Sequence, residues 1–344
     1  MKDGVGGCRD KDMAAWEKEE IELEGGAKAL AQMPVIVSAS RATDIPAFYA
    51  DWFMARLKAG YVKWLNPFSG VPLYVGFRRT RCIVFWSKNP VPMIPRLDAL
   101  DAICPNYYFQ FTLNDYEAEG IEPRVPPLAD RIETFRRLSE RVGRERVVWR
   151  FDPLLLTEKT SIDTLLERVG NVGRQLKGFT EKLVFSFIDI ADYRKVQRNL
   201  AGLGVRELSA EEQTRFARGL AELNRELGLV LATCGEASDL SAHGVVRGKC
   251  VDDELMVRLF CGDAELMDFI GAERDMLDGW RAGKPRKDGG QRRACGCVAS
   301  KDIGEYCTCP HLCRYCYANA SGAAALANWR LHCASPRAET IAGR

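Results

Sequence analysis

The fold is indicated first by residues 35–46, which read Val35-Ile36-Val37-Ser38-Ala39-Ser40-Arg41-Ala42-Thr43-Asp44-Ile45-Pro46. The apolar run predicts a buried strand, a polar loop follows it, and the proline begins a helix. Similar apolar runs recur along the chain, and most are followed by polar residues and a segment with helical spacing. The six predicted strands cover residues 35–38, 82–86, 107–112, 146–151, 183–188 and 229–233.

This alternation of strands and helices predicts an α/β fold. The strands are apolar without strict alternation, which favours parallel strands that are covered on both faces. We expect a partial, TIM-barrel-like arrangement of about six parallel strands, with an open doubly wound sheet as the alternative. Ser40-Arg41 stands where a Gly-rich loop would follow the first strand, so a dinucleotide site of the usual kind is not expected.

Polar residues collect where the predicted strands end. In α/β barrels this edge carries the active site, so these residues are candidates for lining a substrate pocket. The candidates are Arg41, Asp44, Lys88, Arg150, Asp152 and Glu236. The alternative is that such residues only cap helices and form turns. Lys88 and Arg150 are harder to explain as caps, and a cation at a strand end suggests a pocket for an acidic group such as a carboxylate.

The composition narrows the class of protein. The 344 residues are 47% hydrophobic and 28% charged, which supplies a globular core for one large domain or two smaller ones. A net charge of +2 gives no general preference for nucleic acid or membranes. The sequence contains no long apolar run and no signal peptide, so we expect a cytoplasmic protein without a membrane segment. In that compartment the thirteen cysteines indicate metal binding or catalysis rather than disulfides.

Six of the cysteines crowd into a polar, Gly-rich segment near the C-terminus: Cys295, Cys297, Cys307, Cys309, Cys313 and Cys316. The last three have the spacing C-x3-C-x2-C within Cys309-Pro310-His311-Leu312-Cys313-Arg314-Tyr315-Cys316-Tyr317. Three thiolates at this spacing can hold three irons of a 4Fe–4S cluster and leave the fourth iron open to a chelating ligand. The alternative is a closed structural zinc site formed by Cys313 and Cys316 with Cys295 and Cys297. His311 is interpreted as a spacer.

A second metal centre is a further hypothesis. Cys234 ends the sixth predicted strand, at the same edge as the candidate pocket residues, and Cys250 follows a short distance beyond it. Together with Cys295 and Cys297 they make four thiol ligands, enough for an auxiliary cluster. The alternative is that Cys234 and Cys250 are small residues of the core.

Several long stretches resemble the family catalogued as domain of unknown function 1848. They read SASRATDIPAFY at 38–49, VFWSKNP at 84–90, QFTL at 110–113 and WRFDP at 149–153, followed by the segment from Cys295 to Asn319. That family is grouped with radical S-adenosylmethionine (SAM) proteins because of its cysteine-rich tail. The resemblance covers nearly the whole chain but does not indicate a substrate.

The nine-residue motif itself is similar to that of radical SAM enzymes. The resemblance implies that Cys309, Cys313 and Cys316 bind a 4Fe–4S cluster, that SAM chelates its open iron, and that Tyr315 lies near the adenine. It also implies reductive cleavage of SAM and an electron donor such as a flavodoxin or ferredoxin. We expect an unidentified small-molecule substrate at the barrel mouth. The chain order departs from that pattern, because the motif usually follows the first barrel strand and here follows all six. A tail that folds back over the barrel mouth, as in a circular permutation, would explain this order, and so would a cluster that binds no SAM.

The predicted organisation has four segments. Residues 1–34 form an extension with a surface helix over 12–31, and residues 35–282 form the barrel-like domain. Residues 283–322 form the cysteine-rich segment, and residues 323–344 form a short helix and a frayed tail. Two functions follow from these features: a radical SAM-type enzyme, or a non-enzymatic iron–sulfur or zinc protein whose tail is a structural clip or redox sensor. Nucleic acid is the less favoured substrate because the net charge is near zero.

Overall fold

The computed structural model describes residues 16–66, 69–275, 279–284, 286–292 and 294–344. The described chain begins with two strands that pair antiparallel, β1 (Lys18–Glu22) and β2 (Lys28–Gln32). The surface helix predicted over 12–31 is therefore wrong from residue 16 onward, and residues 1–15 lie outside the described part of the chain. Alternating exposure along β1 and the turn at Gly25-Gly26 are features of a hairpin.

The first strand of the main sheet is β3 (Ile36–Ala39), and two helices follow it, α1 (Ile45–Phe48) and α2 (Ala50–Ala59). The hairpin that follows consists of β4 (Tyr61–Leu65) and β5 (Pro72–Gly76). Because β5 also pairs with β2, these strands form a separate four-stranded sheet in the order β1-β2-β5-β4.

The chain then alternates between strands and helices. These elements are β6 (Cys82–Ser87), α3 (Leu97–Asp101), β7 (Tyr107–Thr112), α4 (Leu128–Val142), β8 (Val147–Leu154), α5 (Ile162–Gln175), β9 (Lys182–Phe187), α6 (Arg194–Leu200), α7 (Ala210–Leu227) and β10 (Val230–Cys234). The C-terminal part contains β11 (Val245–Gly248), α8 (Asp253–Phe260), α9 (Ala264–Phe269), β12 (Glu273–Asp275), β13 (Gly279–Arg281), β14 (Lys301–Asp302) and α10 (Gly322–Ala334).

Eight strands form one parallel sheet in the order β11-β10-β9-β8-β7-β6-β3-β14. The predicted α/β class is confirmed, and the six predicted strands are β3, β6, β7, β8, β9 and β10. Sequence patterns missed β11 and β14, which are only four and two residues long. In the described ranges β11 and β14 are opposite edges of the sheet and do not pair with each other, so the strand pairing does not show a TIM barrel.

Alternate residues of each strand face two different cores, as the geometry of a strand requires. On β6, Ile83 and Phe85 pack in a core that includes residues of α1, α2, α4, α5 and α7. Cys82 and Val84 face the opposite core, which contains residues of α8 and α9 together with Val298. The sheet is therefore covered on both faces. Within the described residues, no helix combines the length and the apolar character that a membrane crossing needs.

Two predictions for the C-terminal third are wrong. The helix predicted over 263–281 ends at Phe269, because Gly271 adopts a left-handed conformation with φ of 68°, and the β12–β13 hairpin follows. The predicted frayed tail is instead packed. Residues 340–342 are buried, and the indole N–H of Trp52 on α2 donates a hydrogen bond of 2.9 Å to the carbonyl of Ala338.

Candidate functional site

A cavity of about 580 Å³ lies at the carboxyl ends of the parallel strands. All seven candidate cysteines line it: Cys234, Cys250, Cys295, Cys297, Cys309, Cys313 and Cys316. The other predicted residues that line it are Arg41, Asp44, Lys88, Arg150, Asp152 and Tyr315. The fold therefore gathers residues from separate strand ends and from the C-terminal segment around one space, while their individual functions stay predictions.

The cysteine loop, residues 309–316, follows β14, the strand that pairs with β3. The sequence suggested no strand before the motif, because Lys301 and Asp302 are polar. Leu312 within the loop has φ of 59°, a left-handed conformation that costs a non-glycine residue about 1–2 kcal/mol. Contacts with the rest of the protein must therefore hold the loop in this shape.

Backbone N–H groups point at two sulfurs of the loop. Those of His311 and Asp44 donate hydrogen bonds to Cys309 Sγ, and those of Ala318 and Asn319 donate to Cys316 Sγ. Such N–H···S hydrogen bonds are a means by which proteins tune iron–sulfur clusters.

Burial raises the pKa of the thiols of Cys309, Cys313 and Cys316. A thiol in such surroundings stays protonated and unreactive unless a positive charge stabilises the thiolate. A bound metal supplies that charge and deprotonates a coordinating thiol outright. The electrostatics of the loop thus suit metal ligands better than nucleophiles.

His311 anchors the cysteine loop, so its interpretation as a spacer is wrong. Its side chain is buried, and Nε2 lies 2.9 Å from Oδ2 of Asp44. Nδ1 lies 3.3 Å from the backbone carbonyl of Arg124. Both partners are acceptors, so the tautomer of the imidazole decides which nitrogen donates. Just before the loop, the hydroxyl of Tyr49 donates to the carbonyl of Thr308 at 2.5 Å.

Asp44 is fully occupied by structural hydrogen bonds. Besides His311, its carboxylate accepts from the backbone N–H of Ala47 at 3.0 Å, which caps α1. It also accepts from the hydroxyl of Ser87 and the backbone N–H of Lys88, both at 2.7 Å. Asp44 therefore caps a helix, as the alternative interpretation of these polar residues predicts. It also connects the ends of β3 and β6 to the cysteine loop.

Lys88 belongs to a buried polar network at the cavity wall. Its Nζ lies 2.7 Å from Oε1 of Glu122, and the hydroxyl of Tyr315 donates to the same oxygen. The amide of Asn114 donates to Glu122 at 3.2 Å and to the Tyr315 hydroxyl at 3.1 Å. Although burial opposes ionisation of Glu122, Lys88 and Arg131 outweigh it, and its pKa is lowered. No sequence pattern marks Glu122, which lies in the Pro-containing loop between β7 and α4.

Arg150 and Asp152, which both lie within β8, form an ion pair. The Asp152 carboxylate also accepts a hydrogen bond from the hydroxyl of Ser186. Burial opposes its ionisation, but Arg150 and Ser186 favour it, and the pKa of Asp152 is lowered. The guanidinium of Arg150 also donates from Nη1 to Sγ of Cys250 at 3.0 Å. Arg150 thus bridges a carboxylate and a thiol within the cavity wall.

Arg41 and Glu236 occupy different surroundings. The Arg41 guanidinium lies over the Trp86 ring, 5.1 Å from its centroid, and 3.6 Å from Asp288. Glu236 was predicted to line the pocket but does not line the cavity. Its carboxylate accepts from the backbone N–H of Phe187 at 2.9 Å, and burial raises its pKa to about 7.

The second cysteine group consists of Cys234, Cys250, Cys295 and Cys297. The Sγ atoms of Cys234 and Cys250 are 3.1 Å apart. Thiol hydrogen bonds continue from Cys250 to Cys297 and from Cys297 to Cys295. Among the described residues, no three His, Cys, Asp or Glu side chains already surround the position of a single metal ion.

The fold and site together define an α/β protein in which two groups of cysteines meet at the carboxyl edge of a parallel sheet. The chain belongs to the family described as Domain of unknown function (DUF1848), whose profile matches residues 36–318. No curated protein and no solved structure matches the chain.

Proposed function

We propose that this protein is a radical SAM-type enzyme. In this proposal Cys309, Cys313 and Cys316 hold a 4Fe–4S cluster, and the adjoining cavity binds SAM and a small-molecule substrate. The observation that carries it is the position of the cysteine loop, which places three thiols of the cavity wall at the carboxyl edge of a parallel sheet. That edge is where α/β enzymes place their active sites.

The order of the strands in space supports the resemblance to radical SAM enzymes. In that superfamily the motif follows the first strand of the barrel. Here it follows β14, which is last in the sequence but lies at the edge of the sheet beside β3. From that edge inward, the first strand is β14, and the motif follows it. The other seven strands of the sheet, from β3 to β11, then come in sequence order. This order is that of a circularly permuted partial barrel, which we propose as the finer description of the fold.

The residues of the loop fit a cluster that leaves one iron open. Three thiols are available within eight residues, and four backbone N–H groups donate to two of their sulfurs. When bound, the cluster supplies the electron that cleaves SAM to a 5′-deoxyadenosyl radical. The protein's own contribution is to position the reactants and exclude water, since the cofactor carries the difficult chemistry.

The cavity suits small ligands in size and polarity. Its volume of about 580 Å³ falls in the range of ordinary ligand pockets. Tyr315 and Lys88 line it beside the cysteine loop, and Glu122 fixes both side chains. We therefore propose that SAM, with both its nucleoside and its amino-acid end, binds on the side of the cavity next to the cysteine loop. Arg150 and Asp152 line the wall near the second cysteine group, and we assign the substrate to that side.

Anaerobic reconstitution with iron and sulfide tests the proposal. The reduced protein should give a 4Fe–4S EPR signal that shifts when SAM is added, and it should form 5′-deoxyadenosine. A flavodoxin or ferredoxin is the proposed physiological electron donor, and dithionite replaces it in the assay. The Cys313→Ala variant should lose the SAM-dependent shift, whereas Cys333→Ala, which removes an exposed cysteine outside the cavity, should keep it.

Two results would overturn the proposal. An iron–sulfur signal that is indifferent to SAM would mean a redox or structural centre. Stoichiometric zinc without iron in the cysteine loop would mean a structural clip.

A further inference from the structure

The second cysteine group lies within a contact network of its own. Cys234 ends β10, Cys250 follows β11, and Cys295 and Cys297 lie before β14. Three separate parts of the chain thus bring four thiols into hydrogen-bonding contact beside one cavity. Ordinary core cysteines have no reason to converge in this way, because a thiol packs in a core as a small apolar group.

These cysteines border the apolar core on the α8 and α9 side of the sheet, and several hydrogen-bond donors point at their sulfurs. The backbone N–H groups of Cys250 and Val251 lie 3.2 and 3.5 Å from Sγ of Cys297. The backbone N–H of Cys297 donates in turn to Sγ of Cys295. The guanidinium of Arg150 donates to Sγ of Cys250 at 3.0 Å. These donors stabilise thiolates, and N–H···S hydrogen bonds of this kind surround metal-bound cysteines.

We propose that the second cysteine group binds a thiophilic metal centre through four thiolates, separate from the centre of the cysteine loop. Four thiolates complete the coordination of one tetrahedral zinc ion or of one 4Fe–4S cluster. Metal binding releases the four thiol protons to solvent and replaces the thiol–thiol contacts with metal–sulfur bonds. The side chains must separate to do so, because they do not yet surround a common point.

Cationic groups lie beside these sulfurs. Four thiolates around a divalent ion, or around a cluster core of charge +2, carry a net charge of −2. The guanidinium of Arg150 contacts Cys250 and the charge of Arg41 acts on Cys297, but each also pairs with a carboxylate, so they offset the charge of the centre only in part. Both cations are largely buried, so solvent screens them weakly.

A polar path joins the two groups of cysteines. Arg150 pairs with Asp152, whose backbone N–H donates to the side chain of Asn114 at 2.8 Å. The amide of Asn114 donates to the hydroxyl of Tyr315, which lies next to Cys316 in the cysteine loop. A metal in the second group would therefore face the same substrate space as the cysteine loop.

Metal analysis of four proteins purified without oxygen tests the inference. They are the unaltered protein, a loop variant (Cys309→Ala, Cys313→Ala, Cys316→Ala), a second-group variant (Cys295→Ala, Cys297→Ala) and a control that removes two buried cysteines outside the cavity (Cys82→Ala, Cys104→Ala). Iron, sulfide and zinc are counted as purified and after reconstitution. We expect the loop variant to retain about four irons and four sulfides, or about one zinc, per chain. The second-group variant should lose the metal of the second cysteine group. The control should hold as much metal as the unaltered protein.

Alkylation mapping gives an independent readout if the second-group variant does not fold. In the loaded loop variant, the four thiols of the second group should resist alkylation until a chelator removes the metal. A loop variant without metal, or with these thiols alkylated equally fast before and after chelation, would overturn the inference.

This inference does not require that SAM be cleaved, so the two proposals can fail separately. Metal retained in the loop variant, together with no SAM response in the unaltered protein, would refute only the proposed function. A SAM response in a protein whose loop variant holds no metal would refute only the second centre.

Discussion

Replacing His311 with phenylalanine tests whether the buried contact with Asp44 positions the cysteine loop. Phenylalanine keeps a ring of similar size against Phe48, whose centroid lies 4.7 Å from that of His311. It removes the hydrogen bond of 2.9 Å to Asp44 and the longer one to Arg124. The Asp44 carboxylate keeps its hydrogen bonds from the hydroxyl of Ser87 and from the backbone N–H of Lys88, so it is not left without donors.

The expected cost is the net value of one hydrogen bond to a charged group, about 1.5–3 kcal/mol. If that energy holds the loop in its metal-binding shape, the loop opens about ten- to hundredfold more often in the variant. The anaerobically reconstituted protein is mixed with an iron chelator, and the rate of iron release is followed by absorbance. The free energy of unfolding is measured in urea for the same samples.

His332→Phe is the matched control. His332 is also buried, stacks on Trp329 and bonds through Nδ1 to the carbonyl of Ile341 at 3.0 Å, but it lies outside the loop. We expect this control to lose about 0.5–1.5 kcal/mol of stability and to release iron at the original rate. Equal rates of iron release from both variants would refute the anchoring function of His311.

Three further predictions concern stability, each measured by urea unfolding under reducing conditions. Gly304→Ala should cost about 1–3 kcal/mol because the added Cβ would lie 2.1 Å from Oγ of Ser40. Gly262→Ala should be tolerated because no atom lies within 4 Å of its Cβ position, and equal costs for the two variants would contradict this reasoning. Burial raises the pKa of Glu236 to about 7, so the folded state retains a proton that the unfolded state releases, and stability should fall as pH rises from 4.5 to 7. Glu236→Gln should remove up to about 3 kcal/mol of that decline, and an unchanged pH slope would exclude Glu236 as its source. Burial lowers the pKa of Lys301 to about 8, so the Lys301→Met variant should be more stable than the unaltered protein at pH 7. The difference in free energy of unfolding should narrow between pH 8 and 10, and a constant difference would argue against a buried charge.

Much of the fold was predictable because it depends on local patterns. The six strands that were predicted are apolar runs bounded by turn residues, and most helices between them show the helical spacing of apolar residues. Strand β14 escaped detection because two polar residues carry no pattern, although β3 pairs with them. The charged residues of the β1–β2 hairpin fit a helix as well as a strand, so composition predicts a helix there, and only the Gly25-Gly26 turn indicates a hairpin.

The candidate site was predictable where it depends on residue type. Cysteine spacing and the polar residues that follow the predicted strands identified candidate side chains that, with the exception of Glu236, all line the cavity. Glu122 and the anchoring contact of His311 could not be found in this way. Their partners lie 34 and 267 positions away in the sequence, and no local rule relates residues so far apart.

The sequence by itself determined the α/β class, the crowding of cysteines near the C-terminus and the placement of polar residues at strand ends. These features follow from local periodicity and composition, which any segment carries with it. Only the tertiary structure decided that β14 pairs with β3 and that two groups of cysteines share one cavity. It also decided that Asp44, which lines the cavity, contacts His311 of the cysteine loop. The physical reason is that such contacts depend on the register of parallel strands and on the burial of distant side chains against one another, which only the folded chain specifies.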